Sequence, residues 1–293
     1  MSRRLFVVGN RFSGNKKTGK VLHEFSSFLQ AKEIPFEIYD TNQDGNAILT
    51  TKRLDKAFTD LVVIGGDGTI NESVNGLAYD IPVSIIPAGT GNDFVKNVTL
   101  GKTQRDQFET AIMGEVKRID LGKCNDRIFL NGVGIGFDGQ IVEDMASKRV
   151  PLLKGHAAYY YHVLRILGSY GVKTFEYQVD DRLHQEKLIL LAVGNGTTFG
   201  GGFKLMPEAK VDDGLLEVCS IGDLSPIGRF LNIHRLSNGS HGKLGLVDFH
   251  QVKSLHVAEN EMLFAHIDGE RMGQPPFDFK VVPQSLRLRV ANL

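Results

Sequence analysis

Residues 62–72 form the densest chemical signal in the sequence, a β-branched run followed by three glycines and a helical pattern. Glycines let the backbone turn sharply and approach a ligand closely. The free N–H groups and the positive dipole end at the start of a helix favour an anion such as phosphate. A plain tight turn is the alternative, but the order of strand, glycines and helix predicts a phosphate-binding loop.

Asp67 stands within this loop, where its charge opposes a simple phosphate site. Two unit charges 4 Å apart repel by about 4 kcal/mol at an effective dielectric constant near 20. Either a divalent cation lies between them or Asp67 faces elsewhere. We favour the cation, because Mg²⁺ commonly bridges carboxylates to phosphates and keeps several waters.

Two further loops have the same character. Residues 9–21 contain a Walker A pattern, but Val21 stands where Ser or Thr should hold magnesium. The lysines of this loop fit the solvated start of a helix as well as they fit phosphate contacts. The third loop, residues 87–93, follows another β-branched run. Because open α/β sheets bind ligands beyond the carboxyl ends of their strands, the three loops predict a ligand site there.

Two carboxylates follow a predicted strand near the C-terminus. Asp268 and Glu270 flank Gly269 directly after the alternating run Met262–Ile267. If the extended backbone continues, both carboxylates lie on one face. A positioned carboxylate can take the proton of a hydroxyl as that hydroxyl attacks a phosphate. An exposed Asp-Gly turn is the plain alternative.

The hydrophobic pattern predicts two domains of different architecture. Strands and helices alternate in the first part, which predicts a layered α/β domain with a mainly parallel sheet. Its predicted elements are the strands Leu5–Gly9, Phe36–Tyr39, Leu61–Gly65 and Pro82–Pro87 and a helix over Gly19–Lys32. From about residue 121 strands follow one another, which predicts a β-rich second domain. Its predicted strands are Arg127–Val133, Thr174–Val179, Lys187–Val193, Leu215–Ile221, Val252–Val257, Met262–Ile267, Asp278–Val282 and Ser285–Val290, and its predicted helices are Gly139–Lys148, His156–Leu167 and Pro226–Ser237.

The composition excludes several classes of protein. The 34 Lys and Arg residues balance 34 Asp and Glu residues, so a nucleic-acid partner is not expected. Two cysteines far apart in 293 residues indicate a reducing compartment without disulfides or zinc, and the cytoplasm is the expected location. The apolar runs are too short for a signal peptide or a spanning helix, so any membrane contact is expected to be transient and peripheral.

The motifs together resemble one family. The segment from Gly65 to Thr69 with Asn71 and Glu72, followed by Pro87-x-Gly-Thr-x-Asn-Asp93, resembles the diacylglycerol kinase catalytic-domain family, which includes bacterial lipid kinases, sphingosine kinases and ceramide kinases. The first motif also occurs in NAD kinases, whereas the second is more selective. Further matches are Phe129-x-Asn131, Gly134-x-Gly136-Phe137-Asp138, Gly194-Asn195-Gly196, Gly200 to Phe203, Pro207-x-Ala209, Asp212 to Gly214 with Leu216, and Asp268-Gly269-Glu270. Arg11 departs from the pattern, because the family's first loop usually carries Pro there.

The resemblance implies a fold and a set of site residues. The fold is an N-terminal α/β domain like those of NAD kinases and phosphofructokinases, over residues 1–121 with a return of 284–293, and a sandwich-like β-rich domain over 122–283, with ATP between them. The implied nucleotide-binding residues are Asn10, Arg11, Phe12, Ser13, Gly14, Thr41, Gly66, Asp67, Gly68, Thr69, Ile70, Asn71, Glu72, Thr90 and Asn92. Glu270 is implied as the catalytic base, with Asp268 beside it for substrate or metal. A structural Mg²⁺ or Ca²⁺ is implied at Asp213 and the carbonyls of Lys210 and Leu215, in addition to magnesium at Asp67.

The function that follows is ATP- and magnesium-dependent phosphorylation of a lipid hydroxyl, with diacylglycerol as the leading acceptor. A sphingoid base, ceramide or an intact phospholipid is an alternative acceptor. An NAD kinase and a non-enzymatic nucleotide- or lipid-binding regulator are the other hypotheses. Residues 148–154 are a candidate membrane-docking segment, a homodimer is possible, and a candidate acyl cleft is lined by Ala157, Tyr160, Tyr161, Leu164 and Leu167.

Overall fold

The computed structural model describes residues 3–12, 17–148, 150, 156–179 and 182–292. The chain forms two compact units. The N-terminal unit contains the residues up to 119 and those from 284 onward, and the C-terminal unit contains residues 120–283. The glycine-rich loops at residues 9–21, 62–72 and 87–93 belong to the N-terminal unit, and Asp268, Gly269 and Glu270 belong to the C-terminal unit.

The N-terminal unit is built around a parallel sheet in the order β2-β1-β3-β4. Its elements are β1 Leu5–Gly9, α1 Lys17–Ala31, β2 Phe36–Asp40, α2 Thr41–Asp44, α3 Ala47–Thr51, β3 Asp60–Gly65, α4 Asp67–Gly76, β4 Val83–Pro87, a 3₁₀ turn Phe94–Asn97 and α5 Gln104–Met113. Because all four strands are parallel, the loops after β1, β2, β3 and β4 leave the sheet at the same edge.

Helix α1 confirms the helix that the spacing of apolar residues predicted in this unit. Its apolar residues recur at helical spacing and are buried against the sheet as a single stripe. The buried side chains are Thr18, Val21, Leu22, Phe25, Phe28 and Leu29. The predicted helix is confirmed, with its start two residues earlier than the pattern indicated.

The C-terminal unit is dominated by antiparallel strands. Its elements are β5 Glu115–Cys124, which begins in the first unit, β6 Arg127–Phe129, β7 Gly132–Gly136, α6 Phe137–Ser147, α7 His156–Leu167, β8 Lys173–Val179, β9 Arg182–Gly194, β10 Leu216–Gly222, α8 Pro226–Asn238, a 3₁₀ turn His241–Lys243, β11 Val247–Val252, β12 Ser254–Val257, β13 Ala265–Ile267, β14 Glu270–Gly273 and β15 Phe277–Val290. Strands β14-β13-β7-β9-β8-β12-β15 lie in that order, and β10 joins β9 to β11. The end of β15 belongs to the first unit, where Leu288 pairs in parallel with Val83 of β4.

The predicted fold class, α/β followed by a β-rich sandwich-like part, is confirmed, whereas three predicted strands are wrong in detail. Residues 127–133 form two strands, because the amides around Asn131 donate to Asp268 instead of extending one ladder. Only Ala265–Ile267 of the predicted strand 262–267 is extended, since Leu263 donates back to the carbonyl of Asn260 in a turn. The pattern over 252–257 is divided between β11 and β12.

Candidate active site

The loops after β3 and β4 touch through the backbones of two glycines. A Cβ added to Gly89 would lie 2.4 Å from the Cα of Gly66, and one added to Gly66 would lie 3.0 Å from the Cα of Gly89. Asn92, at φ 50°, holds the second loop because its Oδ1 accepts from the N–H of Gly89 at 3.1 Å and its Nδ2 donates to the carbonyl of Gly89 at 3.0 Å. Thr90 is exposed between them. The glycines in these motifs therefore permit a close packing of two ligand loops.

Helix α4 begins at this contact with an open first turn. Gly66 is its N-cap and makes no side-chain capping bond. Beside Gly68, no atom lies within 4 Å of the place a Cβ would occupy. The amides of a first helical turn and the empty space beside Gly68 together can accept an anion.

The polar side chains of α4 are also engaged in holding neighbouring loops. Asp67 Oδ1 accepts from the N–H of Phe94 at 3.1 Å, and Glu72 Oε2 accepts from the N–H of Ala47 at 2.8 Å. The other predicted residues on this helix divide by exposure: Thr69 is half-buried, whereas Ile70 and Asn71 are buried. Asp67 and Glu72 thus fix loops in addition to any role toward a nucleotide.

Asn10 organises the loop after β1. Its Oδ1 accepts from the N–H of Phe12 at 3.0 Å and from Nδ2 of Asn42 at 2.7 Å, which ties the loop to the residue after β2. Arg11 stands where the family's first loop usually has Pro, and its Nε lies 3.5 Å from Oδ2 of Asp40. The ion pair between Arg11 and Asp40 therefore constrains the loop position that the proline ring stiffens in other family members.

Other predicted nucleotide residues at this edge differ in their placement. Thr41 is the first residue of α2 and is buried, so the expectation that it lies in a loop is wrong. The backbone turns into α2 because the Asp40 side chain caps the helix through the N–H of Asn42. Phe12 is 71% exposed. Ser13 and Gly14 lie outside the described residues.

In the C-terminal unit, Asp268 and Gly269 form a tight turn between β13 and β14. Their φ angles are 46° and 85°, so the backbone turns here and the extended conformation that would place both carboxylates on one face does not continue. The Asp268 carboxylate accepts N–H groups from three successive residues: Leu130 at 2.8 Å, Asn131 at 3.0 Å and Gly132 at 2.8 Å. Asp268 therefore fixes the turn to the loop before β7.

Glu270 is the first residue of β14, directly after the turn. Its Oε2 lies 2.6 Å from a terminal nitrogen of Arg127, and both side chains are a little over two-fifths exposed. Arg127 was not singled out from the sequence, because 143 residues separate it from its partner. The ion pair holds an accessible carboxylate in place, as a general base requires.

A buried hydrogen-bonded pair lies behind the turn. His266 Nε2 is 2.8 Å from Oδ2 of Asp138, and Oδ1 of the same carboxylate accepts from the Tyr159 hydroxyl at 2.7 Å. A Cβ on Gly134 would lie 2.4 Å from that Oδ2, so the glycine leaves the room that the pair occupies. The N–H of Gly269 donates to Nδ1 of His266 at 3.2 Å, which connects the pair to the turn.

The electrostatics of this pair follow from its mutual contact. Burial alone would raise the pKa of Asp138 and lower that of His266, but the charge and hydrogen bond of each partner reverse both effects. The pKa of Asp138 is therefore held below its ordinary value and the pKa of His266 above it. Because Nδ1 accepts the N–H of Gly269, it carries no proton in this arrangement, and the ring proton lies on Nε2.

The predicted structural-metal loop is organised by a carboxylate that sequence reasoning missed. Asp120 is fully buried, and its Oδ2 accepts from the N–H of Gly214 at 2.7 Å while its own N–H donates to the carbonyl of Val211 at 2.6 Å. Gly214 has φ 76°, and exposed Asp213 accepts from the N–H of Leu215 at 3.1 Å. These contacts shape the loop that also contains Lys210.

Glu217 follows the loop on β10 and lacks a hydrogen-bond partner at one buried oxygen. The side chain is 7% exposed, and its Oε2 has no partner among the described residues. Burial, and then the charges of Glu208 and Asp213, raise the pKa of Glu217. A cation beside such a carboxylate would satisfy it, so the donor set fits an oxygen-preferring metal. The described residues contain no group of three or more His, Cys, Asp or Glu side chains in metal-binding arrangement, so main-chain carbonyls would have to complete the set.

Two apolar cavities lie between the helices and the sheet of the C-terminal unit, with volumes of about 80 and 40 Å³. Both are lined by Phe137, Leu167, Leu190, Ile233 and Leu236, and the smaller one reaches Asp138 and Tyr159. The smaller cavity therefore reaches the Asp138 side of the buried pair behind the turn.

The predicted acyl-cleft residues are partly wrong. Leu167 lines both cavities, but the neighbouring cavity residues on α7 are Tyr159 and Val163. Tyr160, Tyr161 and Leu164 are exposed instead, as is Ala157. The spacing of apolar residues could not identify the buried face of α7, because both faces of the helix carry apolar side chains.

The predicted docking segment falls largely outside the described residues, which omit Arg149 and residues 151–155. Lys148 is described, and its ammonium lies 3.2 Å from Oδ1 of Asp144. Among the described residues, no helix is both long and apolar enough to cross a membrane.

The fold combines a parallel sheet bearing glycine-rich loops with a β-rich unit that carries an acidic turn, and this combination is typical of a class of phosphotransferases. Residues 4–124 match the diacylglycerol kinase catalytic domain, and residues 131–290 match the YegS C-terminal NAD kinase beta sandwich-like domain. The chain belongs to the diacylglycerol kinase catalytic-domain family and is an enzyme of the lipid kinase class.

Known proteins agree with this assignment. The diacylglycerol kinase of Staphylococcus carnosus is 28% identical over 98% of this chain and 95% of its own. A crystal structure of a diacylglycerol kinase from Bacillus anthracis has a TM-score of 0.74 at 21% identity, over 98% of this chain and 97% of its own. An NAD kinase from Archaeoglobus fulgidus, solved with ATP, has a TM-score of 0.54 at 16% identity, over 97% and 92%. The two structures bear out the predicted likeness of the fold to NAD kinases and lipid kinases.

Proposed function

We propose that the chain transfers the γ-phosphate of ATP, with Mg²⁺, to the hydroxyl of diacylglycerol and so forms phosphatidic acid. The observation that carries the choice of a lipid is the apolar lining of the two cavities, the smaller of which reaches Asp138 behind the turn that bears Glu270. A hydrocarbon chain fits such a lining, whereas a dinucleotide would leave its polar groups without partners there. The names of the staphylococcal relatives support diacylglycerol in particular.

In this reaction Glu270 takes the proton of the lipid hydroxyl as its oxygen attacks the γ-phosphorus and ADP leaves. Arg127 orients the carboxylate through their ion pair. Asp268 has its carboxylate occupied by three backbone N–H groups, so it acts as a positioning residue for the turn.

The nucleotide is held by the N-terminal unit. The first turn of α4 and the loops at Asn10 and Thr90 receive the phosphates through N–H groups, with open space at Gly68. Mg²⁺ at Asp67 would neutralise charge that develops on the phosphates during transfer. A second cation at Asp213, with the carbonyls of Lys210 and Leu215 and with Glu217 nearby, would have a structural role.

The test is transfer of labelled γ-phosphate from ATP to diacylglycerol, a sphingoid base, ceramide and phospholipids in mixed micelles, with NAD as a parallel acceptor. We expect diacylglycerol to be labelled. Glu270→Ala should abolish transfer and leave ATP binding intact, whereas Glu259→Ala, at an exposed glutamate of the same unit, should change neither. Preferential labelling of NAD or of another lipid would refute the assigned acceptor, and near-normal turnover of Glu270→Ala would remove Glu270 from the mechanism.

A further inference from the structure

The outer faces of α7 and α8 carry exposed apolar side chains. Six of the large hydrophobic side chains exposed among the described residues project from these two helices. They are Tyr160, Tyr161 and Leu164 on α7 and Ile227, Phe230 and Leu231 on α8. Ile227 and Leu231 are 73% and 67% exposed, and because they lie one helical turn apart they project from the same face of α8. An apolar patch of this kind marks a surface that is covered in use.

The two helices are fixed to each other, so the exposure is not a consequence of a loose element. The buried Arg229 of α8 donates to the carbonyl of Leu167, the last residue of α7, at 3.0 Å and to that of Tyr170, which follows the helix, at 2.5 Å. Asp223 balances its charge at 3.1 Å. The Phe230 ring lies 3.3 Å from the place that a Cβ on Gly168 would take. We call these six side chains the α7–α8 outer face, and the contacts of Arg229 and Phe230 hold the two helices that carry them together.

The inner faces of the same helices line the apolar cavities. Val163 and Leu167 of α7 and Ile233 and Leu236 of α8 contribute to them. A helix with apolar residues on opposite faces is expected to pack against apolar groups on both faces. The inner faces of α7 and α8 line the cavities, whereas their outer faces are exposed.

The charge pattern agrees with an anionic surface as the covering partner. Neither α7 nor α8 contains Asp or Glu, although the chain has 34 of these residues. The nearby acidic groups are compensated: Asp223 pairs with Arg229, and Asp144 pairs with Lys148, His162 and Arg165. Arg235 adds positive charge to α8. Helices with exposed apolar side chains and no acidic residues can lie in the interface of an anionic membrane with those side chains inserted.

We propose that the α7–α8 outer face is the surface by which this enzyme lies on an anionic lipid bilayer. The inference rests on the proposed lipid kinase function and adds the surface from which the substrate is taken. Neither helix offers a carboxylate to the basic residues of a second copy docked on the same face, so an anionic bilayer is favoured over a dimer.

The test measures co-sedimentation of the full chain with phosphatidylglycerol–phosphatidylcholine vesicles in the absence of ATP. Ile227→Gln with Leu231→Gln should weaken partitioning by roughly tenfold or more, because two large apolar groups lose their burial. The matched control is Met113→Gln with Leu183→Gln, exposed apolar residues on other elements, and it should stay within about twofold of the wild type.

Two further readouts separate the possible outcomes. Turnover of dissolved short-chain diacylglycerol and the melting temperature should be unchanged in the Ile227/Leu231 variant. Unchanged sedimentation, or a dimer that this variant converts to monomers without loss of sedimentation, would overturn the docking face. If the wild type labels no lipid but its sedimentation still depends on these residues, the proposed function fails and the docking face is supported.

Discussion

His266 and Asp138 form a buried hydrogen-bonded pair at 2.8 Å that joins the smaller apolar cavity to the turn bearing Glu270. One ring nitrogen of His266 faces the carboxylate and the other accepts the N–H of Gly269. The pair therefore couples the position of this turn to the wall of the smaller cavity.

We predict that His266 is a positioning residue whose two nitrogens contribute separately. His266→Asn retains an acceptor near the Nδ1 position, whereas His266→Gln retains a donor near the Nε2 position. If the Gly269 contact sets the turn, His266→Gln should lower kcat by up to about 100-fold, and His266→Asn should recover part of that loss. The KM for ATP should be unchanged in both.

Steady-state kinetics with mixed-micelle diacylglycerol measure this difference. His234→Asn, at an exposed histidine on α8, is the control and should have wild-type kcat. Equal kcat losses in the Asn and Gln variants, accompanied by equal losses of melting temperature, would indicate a merely structural pair.

The empty space beside Gly68 gives a second prediction, in which Gly68→Ala and Gly89→Ala have opposite effects on stability. Nothing lies near a Cβ at Gly68, and alanine favours a helix by up to about 1 kcal/mol, so the free protein should be as stable or more stable. At Gly89 a Cβ would meet the Gly66 backbone at 2.4 Å and should destabilise the unit.

Nucleotide affinity distinguishes an empty space from a ligand site. If ATP phosphates occupy the position at Gly68, the alanine methyl group should raise the Kd for ATP several-fold without lowering the melting temperature. Titration calorimetry with ATP and thermal unfolding measure the two effects. A Gly68→Ala protein with wild-type ATP affinity would place the phosphates elsewhere.

These two sites also show what the sequence could and could not predict. Gly66, Gly68 and Gly89 follow predicted strands closely, so the sequence pattern could place them in ligand loops without knowledge of their contacts. The contacts of His266 and Arg127 could not be read, because their partners are 128 and 143 residues away in the chain. Asp138 lay within a recognised motif, but its burial with a histidine depends on the pairing of β13 with β7.

The backbone conformation of the Asp268-Gly269-Glu270 segment could not be predicted, for a different reason. Alternation predicted extended backbone, and the real chain turns because Asp268 finds three N–H donors in a loop distant in sequence. On α7 the consecutive tyrosines supplied two apolar stripes, so spacing alone could not identify the buried one. In both cases tertiary contacts decided between conformations that the local pattern allowed.

A cation at the loop before β10 should stabilise the C-terminal unit. Glu217 has a buried oxygen without a partner among the described residues, and Asp213 lies in the same loop region. Millimolar Mg²⁺ or Ca²⁺ should raise the melting temperature of the wild type, since a ligand at 100 times its Kd adds about 2.7 kcal/mol. Asp213→Asn should abolish this rise.

Two variants sharpen the measurement, which is differential scanning calorimetry with and without a chelator. Glu217→Gln should increase stability in the chelator and reduce the gain from cation, because it removes a buried uncompensated charge. Asp212→Asn, at the neighbouring exposed aspartate, is the control and should keep the wild-type response. A cation response that survives in Asp213→Asn would contradict the site.

Asp60 should make the N-terminal unit sensitive to acid, because it joins β3 to both ends of the chain. Its carboxylate lies 2.9 Å from Arg3 and 2.6 Å from Arg289, which is on the part of β15 that belongs to this unit. Burial alone would raise the pKa of Asp60, but the hydrogen bonds from Arg3, Thr59 and Arg289 outweigh it and hold the pKa below its usual value. The stabilisation is therefore complete above the unfolded-state pKa of about 3.9 and is lost as the pH falls through the lower folded-state pKa.

Asp60→Asn should cost about 3–5 kcal/mol at pH 7, because it leaves two guanidinium groups without their buried partner. The same substitution should cost progressively less below pH 4, since the wild-type carboxylate itself becomes protonated there. Urea unfolding at pH 7, 4.5 and 3 measures the difference, with Asp55→Asn, at an exposed aspartate, as the control that should change little at any pH. An equal cost at all three values would mean that Asp60 stabilises the unit through shape and hydrogen bonding alone, because only a charge-dependent contribution disappears when the carboxylate is protonated.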